Sequence, residues 1–274
     1  MTTITYDLGR IEPPARVAGP VATAVAVAGR SVRKFVRTPQ LLVVSTITGA
    51  MFLLIFRYVF GGAIDTGPIP YVDFLVPGYI VTSVLFTGSN VSSGVAEDLE
   101  QGFTDRLRSL PVSRAALMAG RVVAETGLLA LGLAVTTAIG FAVGFRLHGS
   151  PAEALAAFGL CAVFGFAFMW VFAWIGLVAG NAQAAQGMSL LVFPLTFVSS
   201  AYVPVETMPG WMQPIAEHQP IAVMTNAVRS LALGDPALAG LAGSTAHWVV
   251  LSLVWSAGVV AVFAPLAVLR YRRS

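Results

Sequence analysis

A charged stretch from Glu97 to Arg121 interrupts two long apolar segments of the chain. The whole sequence has only 16 basic and 13 acidic residues, and eight of them lie here. They are Glu97, Asp98, Glu100, Asp105, Arg106, Arg108, Arg114 and Arg121. Residues 103–110 are expected to form two helical turns with Phe103, Leu107 and Leu110 on one face. Apolar side chains flanked by arginines suit a groove in a soluble partner.

The alternative is a solvated loop that merely carries the basic residues expected on the inner side of a membrane. Catalytic chemistry is not indicated anywhere in the chain. A phosphate-binding P-loop needs a Gly-Lys-Ser/Thr sequence, and the only lysine, Lys34, is followed by Phe35. The chain is therefore not expected to hydrolyse ATP. The three histidines are scattered and Cys161 is the only cysteine, so no metal site is predicted.

The composition indicates a membrane protein. Of the 274 residues, 57% are hydrophobic and 11% are charged, and the mean hydropathy is +0.81. Soluble domains carry about 25% charged residues. Residues 1–20 contain no apolar signal sequence, so the first apolar segment is expected to remain as an anchor.

A bilayer core of about 30 Å requires roughly 20 apolar residues in a helix. The sequence predicts an all-α protein with six such spans, and the fifth is short and contains Pro194. The predicted spans are Leu41–Gly61, Phe74–Gly94, Val122–Gly144, Leu155–Ala179, Gly187–Val203 and His247–Leu269.

The orientation of the spans follows from the basic residues. Cytoplasmic termini place 13 of the 16 arginines and lysines inside, whereas the opposite topology would translocate those 13 cations. Arg57, in the first span, and Glu125, near the inner end of the third, are expected near the membrane interfaces, because a charge at the bilayer centre costs about 2.5–3.5 kcal/mol. Carboxylates suited to ion-coupled transport are thus poorly represented.

The segments that flank the spans complete the predicted organisation. Residues 1–20 are expected to be a flexible cytoplasmic terminus and residues 21–40 an amphipathic interfacial helix. The basic face of that helix meets anionic headgroups through Arg30, Arg33, Lys34 and Arg37. Residues 204–246 predict an outer, partly re-entrant hairpin built on two short helices, Met208–Glu217 and Pro220–Leu233. The six-span domain covers residues 41–274.

Three stretches resemble the ABC-2 type permeases, which are the membrane subunits of bacterial ABC exporters. They are Phe-Val-Arg-Thr-Pro-Gln-Leu-Leu (35–42) with Leu-Ile-Phe-Arg-Tyr-Val-Phe-Gly-Gly (54–62), the charged loop 97–121, and residues 193–213 with His-Gln-Pro-Ile (218–221) and Arg229. The resemblance covers residues 30–273, and it is nearest to drug exporters of the daunorubicin-resistance type. Gln101 stands where many members carry Arg.

The resemblance implies a bacterial cytoplasmic-membrane exporter of a hydrophobic or amphiphilic drug, antibiotic or lipid. Two permease chains, identical or paralogous, would pair with two ATPase subunits that hold ATP and Mg²⁺; nucleic acid is not expected as a partner. The implied coupling residues are Glu97, Glu100, Phe103, Asp105, Arg106, Leu107, Arg108 and Leu110. The candidate cavity residues are Phe52, Phe56, Phe86, Asn90, Met188, Phe193 and Phe197.

Two other functions stay open at this point. The first is export of a lipid-linked polysaccharide by the same kind of permease. The second is a carrier or channel that works without ATP. Dependence on an ATPase partner separates the carrier or channel from the exporters.

Overall fold

A computed structural model describes residues 39–102, 114–234, 237 and 243–273, and all regular secondary structure in these ranges is helical. The predicted interfacial helix, except for its last two residues, lies outside the described residues. The predicted coupling helix Phe103–Leu110 lies outside them as well. The interfacial helix with its basic face and the coupling helix therefore stay predictions.

The first half of the described chain consists of four helices. A π-helical turn, Phe56–Phe60, follows directly after α1. The bounds are α1 Pro39–Ile55, α2 Tyr71–Glu100, α3 Arg114–Val143 and α4 Pro151–Ala179. Ser150 begins α4 with a capping box, in which its side chain accepts from the Glu153 amide and Glu153 accepts from the Ser150 amide. Gly180 ends α4 with φ +80°.

The second half contains several short helices before the last long one. The bounds are α5 Ala182–Leu190, α6 Phe193–Phe197, a 3₁₀ turn Val205–Thr207, α7 Gln213–His218, α8 Pro220–Leu233 and α9 Thr245–Arg273. The two helices predicted in the outer connection are thus confirmed as α7 and α8. Helix α8 has the predicted bounds and α7 is shorter than predicted.

Four helices in the described residues are long and apolar enough to cross a membrane. They are Tyr71–Glu100, Met118–Val143, Pro151–Ala179 and Thr245–Tyr271. The first predicted span, Leu41–Gly61, corresponds to α1 and the π-helical turn that follows it, residues 39–60. The predicted fifth span is not one continuous helix, because α5 ends at Leu190 and α6 begins at Phe193. Pro194 suits the first turn of a new helix, where its missing N–H is not needed.

Helix α2 lies at the centre of the fold, in contact with α3, α4, α5 and α8. Glycines allow the closest of these approaches. A Cβ at Gly88 of α2 would collide with the ring of Phe172 on α4, and a Cβ at Gly176 of α4 would collide with the Ser92 carbonyl on α2. Small residues at helix contacts let backbones approach within a membrane protein. The central position of α2 means that most other elements are packed against it.

Candidate functional site

An open groove of about 280 Å³ lies between α2 and the α5–α6 region. Helix α2 contributes Phe86, Ser89 and Asn90, and the opposite side contributes Gln186 and Phe193. None of the residues that line the groove is charged. The groove therefore combines aromatic and aliphatic surface with two carboxamides and several hydroxyl groups, which is the composition expected of a site for an uncharged amphiphile.

The rings of Phe86 and Phe193 meet across the groove. Their centroids are 4.1 Å apart with an interplanar angle of 72°, which is an edge-to-face arrangement. Phe86 is carried by the packed helix α2, whereas Phe193 begins the short helix α6. The position of Phe193 therefore depends on how the chain around α6 is held.

Further aromatic side chains continue from Phe193 toward α1. Phe197 lies 6.4 Å from Phe193 and 5.4 Å from Tyr202, and Tyr202 lies 5.3 Å from Phe52. Phe52 stacks on Phe56 at 4.4 Å. Consecutive centroid distances are all within the range in which aromatic pairs attract. The structure thus links α2, α6 and α1 by an aromatic row, formed by Phe86, Phe193, Phe197, Tyr202, Phe52 and Phe56.

The candidate cavity residues are therefore distributed in three ways. Phe86, Asn90 and Phe193 line the groove. Phe52, Phe56 and Phe197 belong to the aromatic row. Met188 is half-buried on α5, packs against the core and is not among the residues that line the groove.

Sequence reasoning missed Gln186, Ser189 and Thr196 in the groove and Tyr202 in the aromatic row. The first three are polar residues in an otherwise apolar segment, a signal that could have marked them. Tyr202 is 1% exposed, and its hydroxyl lies 2.6 Å from Thr82 Oγ1 on α2. Nothing in the sequence pairs these two residues, which are 120 positions apart.

The end of α6 and the chain after it are held by polar side chains of Gln219, between α7 and α8, and of Arg229 on α8. Gln219 Nε2 donates to the carbonyls of Leu195 (2.8 Å) and Val198. Arg229 Nη2 donates to the Ser200 carbonyl at 2.7 Å. These carbonyls lie where helical hydrogen bonding is interrupted, so their donors come from other elements.

The structure describes both ends of the charged stretch, residues 97–102 and 114–121. Asp98 on α2 forms an ion pair with Arg121 on α3, and both side chains are largely buried. Glu100 accepts a hydrogen bond of 3.4 Å from the Ala182 amide at the start of α5. Of the predicted coupling residues, Glu97 and Glu100 are described, and both lie in the last turn of α2. The Glu100 contact joins α2 and α5, which frame the groove, and the ion pair joins α2 to α3.

No group of three or more potential metal ligands occurs within the described ranges. Cys161 is buried on α4 and free.

The long apolar helices and the uncharged groove define an integral membrane protein of the permease class. The chain belongs to the ABC-2 type transporter family, whose model matches residues 24–233. Membership implies partnership with separate ABC ATPase subunits, on which ATP and Mg²⁺ would act.

Several permeases are similar to this chain. It is 35% identical over 263 residues to the daunorubicin resistance ABC transporter permease protein DrrB1 of Streptomyces coeruleorubidus, which covers 95% of this chain and 89% of that protein. It is 26% identical over 239 residues to the probable doxorubicin resistance ABC transporter permease protein DrrC of Mycobacterium tuberculosis, covering 84% and 82%. It is 28% identical over 214 residues to the inner membrane transport permease YadH of Escherichia coli, covering 75% and 80%.

Proposed function

We propose that this chain is the permease subunit of an ATP-driven exporter that moves a flat, amphiphilic drug or antibiotic out across the bacterial cytoplasmic membrane. The observation that carries the proposal is the uncharged groove lined by Phe86, Phe193, Asn90 and Gln186. Relatives whose names refer to daunorubicin and doxorubicin resistance support the same class of cargo.

The groove suits such a compound for physical reasons. Aromatic side chains bury large flat surfaces and lose little conformational entropy on binding. The carboxamides of Asn90 and Gln186 can each donate and accept hydrogen bonds, as hydroxyl and carbonyl groups of a ligand require. Leu190 and Leu191, beside the groove, are 61% and 74% exposed, so a compound dissolved in the bilayer has an apolar surface to approach.

The proposal includes the complete topology: the chain crosses the membrane six times, and both termini lie in the cytoplasm. Two contacts support an additional crossing between α4 and α9. The Glu100 carboxylate lies next to the start of α5, whereas the amides of His148 and Gly149 both donate to the Ala232 carbonyl at 3.0 Å. The contacts lie at opposite ends of α4, so the chain from 182 to 232 has to pass from one end of the bundle to the other.

The remaining proposed features are the interfacial helix at 21–40, the coupling helix at 103–110 and a re-entrant arrangement of α7 and α8. A complex of two permease chains and two ATPases completes the proposal. Closure of the ATPases would displace the loop 97–121. The displacement would reach the groove because Asp98 is paired with Arg121 on α3 and Glu100 contacts the start of α5. The groove would then close toward the cytoplasm and open toward the outside.

The proposal is tested with the native permease–ATPase complex in proteoliposomes, using the fluorescence of doxorubicin as the transport signal. Phe193→Ala is expected to raise KM for doxorubicin about tenfold, because it removes one of two rings that meet in the groove. Phe141→Ala is the matched control, since Phe141 is a partly exposed ring on α3 that does not line the groove.

Transport that proceeds without the ATPase would overturn the exporter and indicate a carrier or channel. Equal KM values for both variants would remove the groove from the binding step. Mass spectrometry of the complex from native membranes checks its composition, because an exporter of this kind has to copurify with a P-loop ATPase. The same experiment distinguishes a single permease species from two.

A further inference from the structure

Arg229 is a buried cation within the outer helix α8. Only 3% of Arg229 is exposed. All thirteen residues from Ile221 to Leu233 are buried, and most of them are apolar. Within the described ranges, no carboxylate oxygen lies within 4.0 Å of its guanidinium. A buried charge is costly unless it is hydrogen-bonded or paired, so the contacts that compensate Arg229 indicate its role.

The guanidinium donates to two backbone carbonyls that belong to different elements. Nε and Nη2 lie 3.3 Å and 3.0 Å from the Phe74 carbonyl on α2, and Nη2 lies 2.7 Å from the Ser200 carbonyl. Nη1 lies 3.4 Å from Asn226 Oδ1. The guanidinium carbon also lies 3.7 Å from the centroid of the Phe74 ring. Arg229 thus connects α8, α2 and the chain after α6.

The two carbonyls differ in their local backbone. Phe74 lies inside the continuous helix α2, one turn before Pro77, which has no N–H and leaves the Asp73 carbonyl without its helical donor. Ser200 follows the end of α6 at Phe197. Arginine suits this junction because its planar fork presents donors in several directions at once, which lysine does not do.

We call residues 193–202 the wall segment, because they run from the groove to this junction. The segment rests directly on α2, since a Cβ at Gly78 would collide with the Ala201 carbonyl. Ser200 Oγ donates to Asn226 Oδ1 at 2.8 Å, so the same turn is bound a second time from α8. At its other end the wall segment carries Phe193 and Thr196 into the groove.

We propose that Arg229 is a positioning residue for the groove: it holds the wall segment against the Pro77 turn of α2 and thereby sets Phe193 and Phe197. Gln219 assists from the end of α7, because its amide donates to the Leu195 carbonyl. Neither residue lines the groove. The inference rests on the proposed function for its ligand, but its structural part can be measured without any ligand.

The structural part is tested in full-length chains reconstituted in lipid nanodiscs. Cys161→Ala removes the only cysteine, and Phe197→Cys then carries a nitroxide spin label on the wall segment. Arg229→Gln is expected to raise the mobility of this label clearly, and Arg229→Lys to give an intermediate spectrum. Arg146→Gln is the matched control, because the Arg146 side chain also donates to backbone carbonyls, but to those of Phe141 and Phe145 and not to the wall segment.

The functional part is tested by doxorubicin binding to the same variants with the native residue at position 197. Arg229→Gln is expected to raise Kd about tenfold, because displacement of Phe193 by an ångström is enough to lose such contacts. Arg229→Lys should recover part of the affinity and Arg146→Gln should leave it unchanged. If Arg229→Gln does not fold, Gln219→Ala replaces it, since Gln219 is only half-buried and its loss frees two wall-segment carbonyls.

Unchanged label mobility in folded Arg229→Gln, or in Gln219→Ala where that variant replaces it, would overturn the positioning role. A mobile label with unchanged doxorubicin affinity would overturn the link from the wall segment to binding. If the parent chain does not bind doxorubicin, the proposed function fails, and the label spectra still decide the position of the wall segment.

Discussion

Asp98 and Arg121 join α2 to α3 where both helices approach the charged loop. Their side chains are 14% and 17% exposed, so the pair is shielded from water and salt more than a surface pair. Gly94 makes room for it, because a Cβ there would lie 2.9 Å from Arg121 Nη2. We expect Asp98→Asn to destabilise the chain by about 1–3 kcal/mol, since it leaves a largely buried cation without its carboxylate.

The test of this pair is a double-mutant cycle with Asp98→Asn, Arg121→Gln and the double variant, followed by thermal unfolding in detergent. The double variant should be more stable than the sum of the single losses indicates. Strictly additive losses would mean that the two side chains do not stabilise each other. Glu217→Gln is a suitable control, because the carboxylate of Glu217 lies 4.0 Å from His218 on the exposed surface.

Gly88 lies at a close contact between α2 and α4. A side chain at this position would enter the volume of the Phe172 ring, which is 1% exposed. We expect Gly88→Val to cost about 1–3 kcal/mol through overpacking and to lower Tm by several degrees. Gly127→Val is the control, since a Cβ at Gly127 of α3 would meet no atom within 4 Å. Equal Tm values for the two variants would contradict the close packing of α2 on α4.

At the scale of elements, the long helices could be predicted because apolar length alone marks them. Helices α2, α4 and α9 contain the corresponding predicted spans, and α3 covers the third span except for Gly144. The division of the fifth predicted span could not be foreseen in detail. Its short length and Pro194 set this span apart, but the irregular turn is stabilised by Arg229 of α8 and by Gln219, which lies between α7 and α8. Tertiary hydrogen bonds of this kind leave no local pattern in the sequence.

The residue types of the groove could be predicted from the sequence, but their arrangement could not. Phe86, Asn90 and Phe193 could be selected because aromatic and amide residues are conspicuous in apolar segments. Their distances could not be predicted, because Phe86 and Phe193 meet only when α6 packs against α2. Met188 was also selected and does not line the groove, because residue type does not determine which face of α5 points toward it.

The predicted coupling helix at 103–110 is tested by placing one negative charge on each of its faces. Leu107→Asp is expected to reduce transport at least tenfold while the amount of permease in the membrane stays constant, because the charge enters the face formed by Phe103, Leu107 and Leu110. Ser109→Asp places the same charge on the opposite face and should keep most of the transport. The measurement is doxorubicin transport per ATP hydrolysed by the complex. Equal effects of both substitutions would remove the orientation assigned to this helix.

At the scale of the whole molecule, the distribution of charge and the contacts between helix ends support the same topology. Thirteen of the 16 basic residues fall on one side when the chain crosses six times. Asp73 at the start of α2 accepts from the Arg146 amide beyond the end of α3, as expected for antiparallel neighbours. With only the four long helices crossing, residues 182–232 would stay on one side, although the contacts at 182 and 232 lie at opposite ends of the bundle.

Single cysteines in a Cys161→Ala background distinguish the two topologies, because the chain then has no other thiol. Six crossings with cytoplasmic termini predict that His148→Cys reacts with a membrane-impermeant maleimide in intact cells, whereas Asn181→Cys reacts only after permeabilisation. Four crossings by the long helices alone predict the reverse at both positions. Trp211→Cys should react from outside in either case, which makes it the positive control for an exposed outer residue. Labelling of Asn181→Cys but not His148→Cys in intact cells would therefore contradict the six crossings.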